Sequence, residues 1–203
     1  DIEKAVNRIS KARERPETVA VYGDFDADGV TGTALLTTAL RRYGLSVVPY
    51  IPHRVTEGHG LNVPAIDNLL EKGVSLIITV DCGVTDVAPI RHALTHGIDT
   101  IVTDHHLTAA ALPEAVAIIN PHAPHSRYPF KHLTGVGMAL KLVQNLLQDV
   151  EGDSWLDGLI EFAAIGTITD LAPLQGENRY IVHHGLRRLS RTKHLGLQVL
   201  MDA

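Results

Sequence analysis

The sequence of 203 residues has one cysteine, few aromatic residues and no long hydrophobic run. With Cys82 alone, the chain can form no internal disulfide and offers no cysteine cluster for a structural zinc ion. Aromatic side chains make up 4% of the residues, too few for a surface that stacks the bases of a single strand. No apolar run approaches the roughly 18 residues of a membrane-spanning helix, and the opening residues, DIEK, do not form a leader peptide. These absences predict a chain that works in a reducing, cytoplasmic compartment without a membrane partner.

Positive charge is also scarce. The 18 lysines and arginines are outnumbered by 23 aspartates and glutamates, which gives a formal net charge of -5. Proteins that coat nucleic acid tend to be basic, so an anionic ligand must be met here by a local group of charges. The 12 histidines are many for a chain of this length, and histidine is the commonest metal ligand. Clusters of histidine and aspartate are therefore the first places to look for function.

From residue 18 onward, short β-branched runs alternate with stretches of helical period. This alternation is typical of an α/β fold, with a mostly parallel sheet flanked by helices and followed by a helical segment. Pro49 places the second strand at an edge of the sheet, because proline cannot donate to a strand ladder. The predicted strands cover residues 18–22, 46–51, 75–80, 99–103 and 115–119. The predicted helices cover residues 30–43, 63–73, 85–97, 107–112, 133–149, 154–168 and 177–190.

Acidic and imidazole side chains follow three of the predicted strands. Because the carboxyl ends of parallel strands open on one edge of a sheet, these side chains should meet there. Crowded carboxylates cannot all stay ionised unless cations lie among them, and mixed aspartate and histidine ligands favour Mn²⁺, Zn²⁺ or Fe²⁺ over Ca²⁺. The sequence therefore predicts a divalent metal site. The side chains concerned are Asp24, Asp26 and Asp28 after the first strand, Asp81 after the third, and Asp104, His105 and His106 after the fourth.

Each of these residues also has a structural interpretation when taken singly. Asp28 can be a helix cap, Asp81 can belong to a turn, and Asp104 can cap a helix that begins with surface imidazoles. Three separate turns would then carry metal-type ligands by accident, on the one edge where the fold brings ligands together. Asp170, which ends an apolar helix before a proline-containing turn, is a further candidate for the same site.

Four motifs resemble, in order and spacing, those of the DHH phosphoesterase superfamily. They are YGDFDADGVTG from Tyr22, VDCG from Val80, TDHH from Thr103 and GTITD from Gly166. Four further segments resemble the RecJ-like members, which are single-strand-specific exonucleases that work from 5′ ends: IPHR from Ile51, EGHGL from Glu57, INPH from Ile119 and LTGVG from Leu133. The resemblance covers roughly residues 18 to 190. It implies a DHH catalytic domain over residues 1–175 and, over residues 176–203, the start of a connecting helix toward a DHHA1-type domain that lies outside this sequence.

The resemblance also implies roles for individual residues. Two divalent metal ions are expected, Mn²⁺ first and Mg²⁺ as the alternative, with Asp81 bridging them and His106 facing the substrate phosphate. Many family members carry a histidine where this chain has Tyr22, and Asp24 is the nearest replacement for that ligand. The metal ligands implied by the matching motif positions are Asp26, Asp28, Asp81, His105 and Asp170.

Two basic features fit a nucleic-acid strand. Arg54 resembles a family position that contacts the 5′-terminal phosphate, although a solvated loop arginine or an ion pair with Glu57 is an alternative. A stretch without acids between Glu177 and Asp202 either contacts backbone phosphates or forms the exposed face of a terminal helix. The basic residues of this stretch are Arg179, Arg187, Arg188, Arg191 and Lys193.

The function implied by the resemblance is hydrolysis of single-stranded DNA from the 5′ end, in DNA repair and recombination. Single-stranded DNA is the expected partner, together with a single-strand-binding protein and a helicase. Two alternatives stay open: a DHH phosphodiesterase for short oligonucleotides or cyclic dinucleotides, and a non-catalytic RecJ-like scaffold of the replication machinery.

Overall fold

A computed structural model of the chain describes residues 1–148 and 156–202. Within these ranges no helix is both long and apolar enough to cross a membrane. The strands are β1 (Thr18–Gly23), β2 (Ser46–Tyr50), β3 (Val74–Val80), β4 (Asp99–Thr103) and β5 (Ala117–Ile119). The helices are α1 (Ile2–Glu14), α2 (Ala27–Arg42), α3 (Val63–Glu71), α4 (Val87–Thr95), α5 (Gly135–Leu146), α6 (Leu156–Thr169), α7 (Gly176–Leu189) and α8 (Leu195–Asp202).

The five strands form one parallel sheet in the order β2-β1-β3-β4-β5. The predicted α/β fold is confirmed, and β2, which contains Pro49, is an edge strand as predicted. After β1 the chain first adds β2 on one side and then returns to place β3 on the other. The order therefore reverses between β1 and β3, and such a reversal opens a crevice at the carboxyl ends of the strands, where ligands bind in this class of fold.

Helices cover both faces of the sheet, so successive residues of each central strand are buried on opposite sides. In β1, Val19 and Val21 pack into the larger core with α1, α2 and α5, against which α6 and α7 add an outer layer. Ala20 and Tyr22 face the smaller core, which α3 and α4 cover. Position 22 and position 24, two residues on, therefore belong to the α3–α4 side of the sheet.

Three elements differ from the sequence-based expectation. The predicted helix over residues 107–112 is wrong: this stretch is irregular and mostly exposed, and so few residues without a buried face cannot offset the cost of starting a helix. Helices α1 and α8 were not predicted, although Ala5, Ile9 and Ala12 of α1 are buried at helical spacing. The ends of two predicted helices, at residue 149 and at residues 154–155, fall outside the described residues.

The C-terminal helices belong to the same packed structure. A methyl group at Gly185 of α7 would lie 2.4 Å from the Cβ of Ala164 in α6, so the two helices approach closely at a glycine. Residues 176–202 form two helices, α7 and α8, separated by a short turn. The domain boundary at residue 175 stays a prediction.

Candidate metal centre

Backbone hydrogen bonds hold the first residue after each of three strands at one level. The amide of Asp24 donates to the last residue of β3 (3.3 Å), the amide of Asp81 to the last residue of β4 (3.0 Å), and the amide of Asp104 to the last residue of β5 (3.1 Å). The strand ladder therefore continues for one residue past the strand ends. As a result, the loops that begin at Asp24, Asp81 and Asp104 start side by side at the carboxyl edge of the sheet, beside the crevice between β1 and β3.

Asp28 is held from across the fold by the start of α5. Its two carboxylate oxygens accept hydrogen bonds from the backbone amides of Gly135 (2.6 Å) and Val136 (2.9 Å). Burial raises the pKa of Asp28 to about 6, although these two amides oppose the shift. The cap of α2 is a different residue, because Asp26 accepts the amide of Gly29 at 3.0 Å. The interpretation of Asp28 as the cap of its own helix is therefore wrong.

Asp81 combines a strained backbone with a buried charge. Its φ angle is +63°, in the left-handed region that side chains other than glycine rarely adopt, and such outliers cluster at functional sites. Nε2 of His105 lies 3.0 Å from Oδ1 of Asp81, yet no donor within the described ranges is aligned on that oxygen. Burial and the nearby carboxylate of Asp28 raise the pKa of Asp81 to about 8, against the influence of His105. Asp81 is therefore a buried carboxylate whose nearest positive group is the His105 imidazole.

The structure brings all six predicted metal ligands together in three overlapping groups. Within each group the ligand atoms lie within 4.8 Å of one another. Asp81 belongs to two groups and His105 to two, so the groups are continuous. They are Asp24, Asp26 and Asp81; Asp81, His105 and His106; and Asp28, His105 and Asp170.

The residues present fit divalent cations. Oδ1 of Asp24 and Oδ1 of Asp81 are buried and have no hydrogen-bond partner among the residues that the structure describes. A buried carboxylate oxygen without a partner is costly, and coordination of a cation would remove that cost. The donor set contains carboxylate oxygens and imidazole nitrogens without thiolate, which suits Mn²⁺ and, where carboxylates dominate, Mg²⁺.

His106, the second histidine of the TDHH motif, is held by Asp104. Nδ1 of His106 lies 2.8 Å from Oδ1 of Asp104, and Asp104 also accepts the backbone amides of His105 (2.7 Å) and His106 (3.1 Å). The bond to Asp104 raises the pKa of His106 to about 9. His106 is half-buried, and Asn120 holds its carbonyl oxygen at 2.9 Å. The sequence analysis placed Asp104 in the metal site, but Asp104 belongs to none of the three ligand groups and instead supports His106.

His59 was also missed. Its Nδ1 lies 3.1 Å from Oδ2 of Asp24, and its ring meets the ring of His106 edge-on at 5.7 Å. His59 belongs to the loop after β2, far from Asp24 along the chain, and its one signal in the sequence is its place in the EGHGL segment. Tyr22, by contrast, donates its hydroxyl to the carbonyl oxygen of Gly60 at 3.0 Å.

Arg54 lies against the same centre. Its guanidinium carbon is 5.0 Å from the centre of the Phe25 ring, and Phe25 stands between Asp24 and Asp26. Across residues 1–148 and 156–202, Arg54 makes no ion pair. The alternative ion pair with Glu57 does not form, and the Glu57 carboxylate instead accepts hydrogen bonds from the Tyr50 hydroxyl and the His53 amide.

Four residues of the basic stretch lie near the end of α2 that is remote from these ligands. Helix α2 begins beside Asp26 and is 16 residues, or about 24 Å, long, with Arg42 at its far end. Arg42 lines a cleft there, and Arg179 is not part of its lining. A contact between this cleft and backbone phosphates stays a prediction. The other basic residues of the cleft are Arg187, Arg188, Arg191, Lys193 and His194.

The fold and the ligand groups define a class of protein. Residues 18–167 match the model of the DHH family, N-terminal domain, and the chain belongs to this family. The match covers all five strands and ends within α6, three residues before Asp170.

The relatives with established names are RecJ proteins. The chain is 45% identical over 200 residues to the single-stranded-DNA-specific exonuclease RecJ of Bacillus subtilis, which covers 98% of this chain and 25% of that protein. It is 38% identical over 213 residues to the RecJ of Escherichia coli, over 99% of this chain and 37% of the relative. The chain therefore spans about a quarter to a third of the length of these relatives.

Solved structures of RecJ show the same fold. Exonuclease RecJ bound to manganese matches with a TM-score of 0.89 at 35% identity, over 99% of this chain and 51% of that one. RecJ of Thermus thermophilus in complex with Mn²⁺ matches with a TM-score of 0.84 at 33% identity, over 99% of this chain and 29% of that one.

Gly135 allows α5 to approach the metal ligands, which leads to a prediction. A methyl group at this position would lie 2.4 Å from the Cβ of Asp81, so the start of α5 would have to shift. The shift would weaken the hydrogen bond from the Gly135 amide to the Asp28 carboxylate. We expect Gly135→Ala to weaken Mn²⁺ binding about tenfold or more, as measured by isothermal titration calorimetry, because residues that support metal ligands have effects of this size.

Gly196→Ala is the matched control. Gly196 also lies near the start of a helix, but a methyl group there would meet nothing within 4 Å. Both variants should keep the helical circular-dichroism spectrum, since alanine is the better helix former. Unchanged Mn²⁺ affinity in Gly135→Ala would show that the approach of α5 to Asp81 does not shape the site.

Proposed function

We propose that this chain is the catalytic domain of a metal-dependent phosphodiesterase of the RecJ type, which hydrolyses single-stranded DNA from the 5′ end. The observation that carries the proposal is the continuous set of carboxylate and imidazole ligands, linked through Asp81 and His105, at the carboxyl edge of the sheet. The names of the relatives, which are single-stranded-DNA-specific exonucleases, support the choice of substrate. The match to RecJ bound to manganese supports the choice of cofactor.

The grouping of the ligands supports two metal ions. Asp24 and Asp26 would hold one ion, His105, Asp28 and Asp170 would hold the other, and Asp81 would bridge them because it belongs to two of the three groups. Mn²⁺ is the first expectation and Mg²⁺ the second, since RecJ structures with each ion match this chain. When bound, two divalent ions activate a water molecule for in-line attack and neutralise the charge that develops on the phosphoryl oxygens.

The protein's own groups orient the substrate phosphate. Because Asp104 engages Nδ1 of His106, the nitrogen that remains to donate to a phosphoryl oxygen is Nε2. Donation from Nε2 requires that both ring nitrogens carry a proton, a state that the carboxylate of Asp104 favours. Arg54, which has no carboxylate partner in the described chain, would bind the 5′-terminal phosphate with two parallel hydrogen bonds.

The alternatives make different use of the same centre. A phosphodiesterase for short oligonucleotides or cyclic dinucleotides would need the metal ligands but no contact to a strand that continues beyond them. A non-catalytic scaffold would have no need of ligands, and here all six candidates meet, so this alternative has the least support. A single-strand-binding protein and a helicase are further proposed partners, whose support is the family resemblance.

A metal titration with substrates of different form tests the proposed function. The protein is incubated with Mn²⁺ and a 5′-phosphorylated, 3′-labelled single strand, and the products are sized over time. We expect stepwise shortening from the 5′ end that depends on Mn²⁺ and is much slower on a blunt duplex of the same sequence. Faster turnover of a dinucleotide or cyclic dinucleotide than of the strand would favour the first alternative, and no Mn²⁺-dependent hydrolysis of any substrate would contradict a catalytic role.

The role of Arg54 leads to a second prediction. We expect Arg54→Ala to lower kcat/KM on 5′-phosphorylated strands roughly ten- to hundredfold. This corresponds to a loss of about 1.5 to 3 kcal/mol of binding free energy, the range for hydrogen bonds to charged groups. Strands with a 5′-hydroxyl should change far less, because they lack the phosphate that the guanidinium binds. The measurement is kcat/KM for the two strands, compared side by side.

Arg13→Ala is the control for this variant. The Arg13 guanidinium also stacks on an aromatic ring, that of Tyr43 at 4.6 Å, but Tyr43 lies just past the end of α2 that is remote from the metal ligands. Its removal should leave the ratio between the two strands unchanged. An equal loss on both strands in Arg54→Ala would show that Arg54 is a general backbone contact and does not recognise the end.

A further inference from the structure

The side chain that replaces the family's imidazole, Tyr22, holds the loop after β2. Its ring is fully buried and stacks on the ring of Tyr50, with the ring centres 5.0 Å apart. Its hydroxyl donates to the carbonyl oxygen of Gly60 (3.0 Å) and accepts a hydrogen bond from Nδ2 of Asn62 (3.2 Å). A buried hydroxyl thus ties strand β1 to the C-terminal end of the loop over residues 51–62.

Glu57 holds the middle of the same loop. One of its carboxylate oxygens accepts the hydroxyl of Tyr50, and the other accepts the backbone amide of His53 at 2.8 Å. These bonds, with the backbone amide bond of Glu57 itself to the carbonyl of His53 (2.9 Å), close a tight turn around residues 53–57. The turn has no other regular structure to support it, because residues 51–62 form neither helix nor strand.

Arg54 lies inside this turn, between the two residues that close it. Val55, its neighbour, is 85% exposed, so packing against the core does not fix this part of the loop. The position of Arg54 over Phe25 therefore depends on the polar bonds within the turn, which are those of Glu57 and those between Thr56 and the His53 ring. Through the stacked tyrosines it also depends on Tyr22. His59, which contacts Asp24, lies next to the Gly60 carbonyl that Tyr22 binds.

We propose that Tyr22 and Glu57 are positioning residues for recognition of the 5′-terminal phosphate, and that the tyrosine hydroxyl holds the Arg54 loop in its binding geometry. This inference rests on the proposed function, because it takes Arg54 as the group that binds the 5′-terminal phosphate. Neither residue touches substrate. Position 22, where many family members carry an imidazole, here serves substrate selection through the loop after β2.

The physical effect of losing the hydroxyl follows from the population of the binding-competent loop. If the loop holds Arg54 in place for only part of the time, the apparent affinity falls in proportion to that fraction, while chemistry at the metal centre is unaffected. If the fraction of molecules with Arg54 in place falls to about one fifth, KM for a 5′-phosphorylated strand rises about fivefold and kcat is unchanged. A strand with a 5′-hydroxyl does not use Arg54, so its kcat/KM stays at the original level.

The test uses Tyr22→Phe and Glu57→Gln in the 203-residue chain. Tyr22→Phe keeps the stacked ring and removes the hydroxyl, and Glu57→Gln replaces one of the two accepting oxygens. Each variant should show the rise in KM of about fivefold on 5′-phosphorylated strands, and Mn²⁺ affinity by calorimetry should equal that of the original protein. Tyr43→Phe is the matched control, because its hydroxyl contacts Ser10 at 3.1 Å, away from this loop.

Hydrogen exchange gives a readout that needs no turnover. In Tyr22→Phe and Glu57→Gln, backbone amides of residues 53–61 should exchange faster than in the original protein, while those of β1 and β3 should not change. Unchanged exchange in this loop, an equal loss on both strand types, or a weaker Mn²⁺ affinity in Tyr22→Phe would overturn the inference. Faster loop exchange in a protein without any hydrolytic activity would instead contradict the proposed function and confirm the loop anchor.

Discussion

The crowding of carboxylates at one edge of the sheet is the constraint on which the rest of the structure depends. Asp24, Asp28 and Asp81 are all nearly fully buried, and two of them have an oxygen without a hydrogen-bond partner in the described residues. Lost hydration, together with repulsion from the carboxylates of Asp28 and Asp26, raises the pKa of Asp81 to about 8. A fold that keeps such groups together needs a compensating cation. Because unfavourable groups of this kind cluster at functional sites, their position indicates where the functional site lies.

The fold meets this constraint by bringing distant segments to the crevice between β1 and β3. The strand ladder sets the level of Asp24 and Asp81, and the amides at the start of α5 hold Asp28 from more than 100 residues away along the chain. Glycines make the approach possible: a methyl group at Gly166 of α6 would lie 2.8 Å from Oδ1 of Asp28. The helices therefore serve the site as well as the core.

Much of this arrangement could be predicted from the sequence, because strand periodicity and the position of acids at strand ends are local features. The parallel sheet, the edge position of β2 and the meeting of the ligands follow from them. The capture of Asp28 by α5 and the contact of His59 with Asp24 could not be predicted, since both join segments whose distance is set by tertiary packing. The partner of Arg54 was also open, because proximity in sequence to Glu57 said nothing about the other groups that this carboxylate binds.

The central claim is that this acidic crevice holds two metal ions that share Asp81. The most direct measurement is X-ray diffraction from crystals grown with Mn²⁺, with data collected at the manganese absorption edge. The account predicts two anomalous peaks on either side of the Asp81 carboxylate, one beside Asp26 and one beside His105 and Asp170. A single peak, or peaks that lie away from Asp81, would contradict it.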